Sequence, residues 1–238
     1  MRNRRQRLGT TSDILQNNAQ LQAWGSSSQA SIIGIRASFS NKSEARDFCI
    51  NLIEIIRSAG IPVIWTLNVK TAKNTKELLV IEVMKQLVLQ TLQLNETLRT
   101  ERSITLSAHR FQSATTEQEW FHLLGASLAG IPRIYIIIDV EVLGKKEDGE
   151  EVCWLGAFAN LFEEMAKRAI YTIVTVALVS YGSTLTSATP SPYNHGIIDI
   201  PRKKEVSVGS DKEKTAPRGS PASVLNTKPE QHHLNIGC

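Results

Sequence analysis

The sequence is poor in cysteine and lacks a long apolar run, and these shortages exclude several classes of protein. Its 238 residues include three cysteines, Cys49, Cys153 and Cys238, scattered without metal-ligand spacing. This usage fits reduced thiols packed as small hydrophobic side chains rather than a disulfide framework. The longest apolar stretch, at 170–181, is much shorter than the roughly 20 residues that a membrane helix needs. The basic beginning of the chain is not followed by an apolar segment, so we expect a cytoplasmic protein without a secretory signal.

The body of the chain also lacks an excess of charge of one sign. The formal charge is +4, but residues 31–181 hold 16 Lys and Arg against 17 Asp and Glu. Residues 1–30 hold four Arg against one Asp, and residues 182–238 hold seven basic residues against five acidic ones. Because the excess lies at the ends, we do not expect a nucleic-acid-binding body. Since no apolar run is long enough to span a bilayer, we expect no membrane partner either.

Two common catalytic signatures are missing as well. The chain has no G-x-G-x-x-G segment, so a Rossmann dinucleotide site lacks support. The segment GASLAG at 125–130 has Ala129 where a G-x-S-x-G elbow needs its second glycine, which argues against a serine hydrolase.

Apolar segments typical of buried strands alternate with helical patterns along the chain. Predicted strands lie at 32–35, 62–69, 132–143 and 171–179, and predicted helices at 13–24, 43–59, 74–94, 115–130 and 154–169. This alternation predicts an α/β fold with a mostly parallel sheet covered on both faces. We expect a basic N-terminal arm at 1–12, one domain at 13–181 and a disordered tail at 182–238, which is rich in Ser, Pro, Lys and Gly.

The segment SIIGIRASFSNKSEARDFC has the order strand, polar loop and helix that a phosphate site requires. A P-loop reads G-x-x-x-x-G-K-[ST], and its glycines let backbone N–H groups wrap the phosphates. Alignment on Lys42 and Ser43 puts Arg36 and Asn41 at the two glycine positions. Asn tolerates left-handed backbone angles, so we expect Asn41 to keep the last turn of the loop. An ordinary helix start with a solvated lysine is the alternative.

A second motif follows at a distance that suits the first. The apolar segment IYIIID ends in Asp139, 97 residues after Lys42. A carboxylate at the carboxyl end of a neighbouring strand would hold Mg²⁺ beside a bound nucleotide. An Asp that merely caps a turn is the alternative, but the correct order of the two motifs favours a nucleotide site.

The order of these segments resembles the central nucleotide-binding domain of STAND-class signalling NTPases, the NACHT-like group, and especially its large fungal set. The resemblance covers roughly residues 13–181. It rests on IIGIRASFSNKS as the phosphate-loop region, PVIWTL as the second strand, RIYIIIDVEVL as the Walker B strand and IYTIVTVALVS as the sensor strand. It implies a three-layer P-loop NTPase-like sandwich that works in intracellular signalling.

The resemblance also implies a ligand and the residues that bind it. The ligand is ATP or GTP with Mg²⁺. Lys42 would neutralise the outer phosphates, while Ser43 and Asp139 would hold the metal ion. Backbone N–H groups from Ser40 through Asn41 to Lys42 would cradle phosphate oxygens at the start of a helix.

The residues needed for hydrolysis depart from the family pattern. Glu141 is the nearest acidic residue that could activate water, because a neighbour two positions along a strand points to the same face. The sensor strand of the family commonly ends in Ser-Arg, whereas Ser180 here precedes Tyr181, so a contact to the terminal phosphate is lost. The sequence therefore predicts a degenerate nucleotide-binding domain with weak or absent hydrolysis.

A function of another class stays open beside this one. The chain would then be a non-catalytic protein-interaction scaffold, a pseudo-NTPase, or a truncated remnant that binds no nucleotide. Protein partners or a homo-oligomer are expected under either hypothesis.

Overall fold

The computed structural model describes residues 18–67, 80–98, 110–142, 153–181, 185 and 192–200. These residues form an α/β fold around one five-stranded sheet in which every strand pairing is parallel. The strand order is β2-β3-β4-β1-β5, with β1 at Ser31–Arg36, β2 at Val63–Thr66, β3 at Arg133–Asp139, β4 at Ile173–Ser180 and β5 at Asn194–Asp199. The prediction of a parallel α/β sheet is confirmed.

Helices cover both faces of this sheet. They are α1 (Ala19–Ser26), α2 (Lys42–Ser58), α3 (Val80–Leu94), α4 (Glu117–Leu128) and α5 (Trp154–Lys167). One face, here called the α2 face, packs against α1 and α2, and the opposite α5 face packs against α3, α4 and α5. Because the strands are covered on both sides, they contain almost uninterrupted buried apolar residues.

Aromatic side chains hold α4 and α5 together on the α5 face. Phe158 is fully buried, and its ring lies 5.5 Å from Phe121 in a T-shaped arrangement and 6.2 Å from Trp154. Such pairs contribute about 0.5–1.5 kcal/mol each beyond the burial of their apolar area.

Polar contacts hold α1 to the α2 face. The indole Nε1 of buried Trp24 donates to the carbonyl of Val176 at 3.0 Å. The hydroxyl of Tyr135 in β3 donates to the carbonyl of Gly25 at 2.6 Å. These contacts satisfy polar groups that burial would otherwise leave unpaired.

Helix boundaries follow from local signals in the sequence. Thr116 begins α4 with a capping box, in which its hydroxyl accepts from the N–H of Glu119 and the Glu119 carboxylate accepts from the N–H of Thr116. Hydrogen bonds from the backbone N–H groups of Thr115 and Thr116 lower the pKa of Glu119. At the end of α2, Gly60 adopts the left-handed φ of 71° that favours glycine, as predicted.

The fifth strand corrects the predicted domain limits. Residues 194–199 were expected within a disordered tail from 182, and this expectation is wrong because they pair in parallel with β1. Their partly polar sequence, NHGIID, lacks the continuous apolar pattern of the other strands, so the sequence did not indicate a strand. The arm at 1–12 and residues 201–238 lie outside the described residues. In the described part of the chain, no helix has the length and apolar character needed to cross a membrane.

Candidate functional site

The carboxyl ends of β1 and β4 lie side by side and send the chain to opposite faces of the sheet. The loop after β1 leads into α2 on the α2 face, whereas Leu185, after β4, packs in the core of the α5 face. Adjacent strands whose connections diverge in this way form a topological switch point, where open α/β sheets bind ligands. All six residues predicted to bind or hydrolyse a nucleotide follow β1 or lie at the end of β3.

Two backbone N–H groups at the end of the loop between β1 and α2 donate within the loop itself. Phe39–Asn41 forms a 3₁₀ turn, in which the N–H of Asn41 donates to the carbonyl of Ser38 at 2.8 Å. The N–H of Lys42 donates to the carbonyl of Phe39. Two of the N–H groups predicted to cradle phosphate oxygens therefore already have partners within the turn.

The residues at the two missing glycine positions do not restore a phosphate-loop conformation. Asn41 has φ −101° and ψ 15°, so the prediction that it keeps a left-handed turn is wrong. The 3₁₀ turn runs directly into α2, which requires no left-handed residue. Arg36 is still part of β1, and its guanidinium binds Asp199 of β5 through two hydrogen bonds of 2.6 and 3.1 Å. This pairing lowers the pKa of Asp199.

Lys42 is the first residue of α2 and is half-buried. Its Nζ lies 4.5 Å from the centroid of the Tyr181 ring and 5.7 Å from the centroid of the Phe39 ring. An ammonium group over an aromatic ring is stabilised by about 0.5–2 kcal/mol, depending on how far it is removed from water. The alternative to a phosphate site predicted a solvated lysine. Lys42 is instead held against aromatic rings at the edge of the sheet.

Asp139 is the last residue of β3, and it is buried. Its Oδ1 accepts a hydrogen bond from the N–H of Glu141 at 3.0 Å, and its Oδ2 accepts one from the hydroxyl of Tyr181 at 2.7 Å. β3 was expected beside β1, but β4 lies between them, which separates the two strands by about 10 Å. Tyr181, at the end of β4, contacts both Asp139 and Lys42.

The carboxylate of Asp139 also affects a thiol on α2. Cys49 is buried beneath the first turns of this helix, and burial raises its pKa far above the ordinary value. The negative charge of Asp139 raises the Cys49 pKa further. The thiol is consequently protonated and unreactive at neutral pH.

Glu141 lies in the 3₁₀ turn Val140–Val142 and not on a strand, so the argument that it shares a strand face with Asp139 is wrong. Its Oε1 accepts hydrogen bonds from the hydroxyl of Ser180 at 2.9 Å and from the N–H of Tyr181 at 3.3 Å. Glu141 thus ties the end of β4 to the turn after β3. This role positions Tyr181.

The two predicted serines are exposed. The hydroxyl of Ser40 lies 2.8 Å from that of Ser38 and donates to Oδ1 of Asn41 at 3.4 Å. Ser43 is exposed in the first turn of α2, whereas Asp139, its predicted partner in holding Mg²⁺, is buried. Among the residues that the structure describes, no group of three or more His, Cys, Asp or Glu side chains could hold a metal ion.

Tyr181 and Phe39 are the residues that the sequence did not indicate. Tyr181 was noted only because it stands where the family pattern has an arginine. Its position directly after Ser180, the last residue of β4, was a signal that its side chain would lie at the carboxyl edge of the sheet. Phe39 is 75% exposed beside Lys42, and nothing in its sequence neighbourhood marked it.

A separate groove lies between α4 and α5. It has a volume of about 460 Å³, and its lining includes Glu117, Glu163 and Glu164 together with Phe121 and Leu161. Glu164 pairs with Lys167 at 3.2 Å on the surface. The groove contains none of the predicted site residues.

No protein-family model matches the chain, and no curated protein is significantly similar to it.

Proposed function

We propose that the chain is a degenerate P-loop NTPase-like domain of the STAND or NACHT-like signalling type, which binds ATP or GTP with Mg²⁺ weakly. One observation carries the proposal. Lys42 and Asp139 are 97 positions apart in the sequence, yet both contact the side chain of Tyr181 at the carboxyl edge of the sheet. A cation and a carboxylate that converge at a switch point suit the phosphates and metal ion of a nucleotide.

Hydrolysis is expected to be absent or very slow. The Glu141 carboxylate positions Ser180 and the backbone of Tyr181, so it is not poised to take a proton from water. Tyr181 replaces the arginine that would stabilise charge during phosphoryl transfer. The proposed domain therefore responds to the presence of a nucleotide rather than consuming it.

The second candidate is a protein-interaction scaffold that binds no nucleotide. The closed 3₁₀ turn favours it, because the N–H groups of Asn41 and Lys42 already donate within the loop. Nucleotide binding would require this turn to open, which costs about two backbone hydrogen bonds, each worth roughly 0.5–1.5 kcal/mol net.

Thermal unfolding of the full chain, with and without millimolar Mg-ATP or Mg-GTP, separates the two candidates. The full chain is needed because truncation before Asn194 would remove β5. Nucleotide at ten times its dissociation constant adds about 1.4 kcal/mol of stability, which corresponds to a rise in Tm of roughly 3–6 °C for a domain of this size.

Two alanine variants make the assay specific. Lys42→Ala should lose the rise in Tm, because the phosphates lose their cation. Lys167→Ala removes an equal charge from the last turn of α5 and should keep the rise. A rise that persists in Lys42→Ala would contradict this site, and no rise with either nucleotide would favour the scaffold.

A further inference from the structure

The side chain of Tyr181 contacts both halves of the proposed nucleotide site. It follows β4 directly and is 4% exposed. Its hydroxyl donates to Oδ2 of Asp139 at 2.7 Å, and its ring lies 4.5 Å from Nζ of Lys42. One side chain therefore occupies the carboxylate that would hold the metal ion and the ammonium that would hold the phosphates.

The side chain of Tyr181 reaches from Nζ of Lys42 to Oδ2 of Asp139, so it fills the space in which phosphates and a metal ion would bridge these two groups. Mg²⁺ binds carboxylate oxygens at 2.0–2.1 Å and keeps most of its water shell. The other oxygen of Asp139 accepts from the backbone of Glu141, a contact fixed by the turn after β3. A carboxylate oxygen can accept a hydrogen bond and bind a metal ion at the same time. The obstacle is therefore the volume of the Tyr181 side chain, which must move before metal-bound phosphates can reach both groups.

The position of Tyr181 in the chain allows this movement without disruption of the sheet. The register of β4 with its neighbours ends with the pairs Arg36–Ser180 and Asp139–Val179, one and two residues before Tyr181. Rotation of the Tyr181 side chain leaves both ladders intact. The backbone contact to Glu141 keeps the main chain of Tyr181 in place while the ring moves.

We propose that Tyr181 is an internal competitor of the nucleotide, which must leave Asp139 and Lys42 before a nucleoside triphosphate and its divalent cation can bind. The inference rests on the proposed function, and it adds the regulation of that site. The apparent affinity for Mg-nucleotide is then the intrinsic affinity multiplied by the fraction of molecules in which Tyr181 has swung out.

The test is isothermal titration calorimetry of the full chain with Mg-ATP and with Mg-GTP. Tyr181→Phe removes the hydrogen bond that holds the side chain between Lys42 and Asp139, so the ring swings out more often and the affinity for Mg-nucleotide should rise about tenfold. Tyr181→Ala frees Lys42 as well and should bind more tightly still.

Tyr135→Phe is the matched control. Tyr135 is buried to a similar degree, and its hydroxyl makes one hydrogen bond of similar length, to Gly25, at the amino end of the sheet. Its affinity should equal that of the wild type. Circular dichroism melts establish that each variant is folded, and if Tyr181→Ala unfolds, Tyr181→Phe decides the question.

The outcomes separate the inference from the function beneath it. Equal affinity in the wild type and both Tyr181 variants would overturn the competition and leave the nucleotide site standing. Weaker binding by Tyr181→Phe, or an equal gain in Tyr135→Phe, would also overturn the competition. No binding by the wild type or by either Tyr181 variant would overturn the proposed function and the competition together.

Discussion

The contact between Lys42 and Tyr181 should appear as an energetic coupling in the folded protein. Lys42→Met removes the ammonium and keeps the apolar stem, and Tyr181→Leu removes the aromatic ring. Each change alone also alters other contacts, such as the hydrogen bond from Tyr181 to Asp139. A double-mutant cycle cancels those separate losses and isolates the interaction between the two side chains.

The geometry sets the expected magnitude of this coupling. Nζ of Lys42 lies 4.5 Å from the centroid of a ring that is 4% exposed, so the ammonium is partly removed from water. Cation–π contacts contribute about 0.5–1 kcal/mol at exposed sites and about 2 kcal/mol when desolvated, so we expect about 1 kcal/mol. Phe39 is the control, because its ring is 5.7 Å from the same Nζ and 75% exposed. Its coupling to Lys42 should not exceed about 0.5 kcal/mol.

Equilibrium unfolding in urea measures both cycles. With an m-value of about 1–3 kcal/mol/M, a coupling of 1 kcal/mol corresponds to roughly 0.3–1 M in the midpoint. A Lys42–Tyr181 coupling within the additivity error of about 0.3–0.5 kcal/mol would refute the reasoning. The same conclusion would follow if the coupling to Phe39 were as large as the coupling to Tyr181.

Two further predictions concern single groups around the site. Iodoacetamide at about pH 8 should label exposed Cys153 but not Cys49 in the folded protein, because burial and the charge of Asp139 raise the pKa of Cys49. Peptide mass mapping identifies the labelled cysteines, and a labelled Cys49 would contradict the prediction. Asp199→Asn should lower the free energy of unfolding at pH 7 by less than about 1 kcal/mol, because its ion pair with Arg36 is exposed. Since the pKa of Asp199 lies below its ordinary 3.8, the pair stabilises the fold above that pH, and the difference between variant and wild type should vanish in urea titrations as the pH falls through the lowered value.

The arrangement around Tyr181 also explains why the loop after β1 can do without glycine. A loop that wraps phosphates needs left-handed residues, whereas this loop closes as a 3₁₀ turn with ordinary backbone angles. The partners that a phosphate would provide are replaced by Tyr181 for Lys42 and by carbonyl groups for the N–H donors. Lys42 and the N–H groups of Asn41 and Lys42 therefore have partners without a phosphate.

The amino-acid sequence by itself determined the local elements and the class of fold. Apolar runs between helical patterns predicted the parallel sheet, and Gly60 and the start of α4 near Thr116 followed from side chains adjacent in the chain. These features depend on backbone angles and hydrogen bonds within a few residues, which a short stretch of sequence encodes. Lys42 and Asp139 were also singled out from the sequence, by their positions at the ends of predicted elements.

Only the tertiary structure decided which strands are neighbours and what fills the space between them. The placement of β4 between β1 and β3, the addition of β5 and the insertion of Tyr181 between Lys42 and Asp139 all join residues far apart in the chain. Such contacts arise from the packing of whole faces and the pairing of strand edges, so no pattern within a short stretch of sequence predicts them. The sequence also did not reveal the 3₁₀ turn after β3, which sets the direction of the Glu141 side chain. Glu141, predicted as a base, therefore accepts a hydrogen bond from Ser180 at the end of β4.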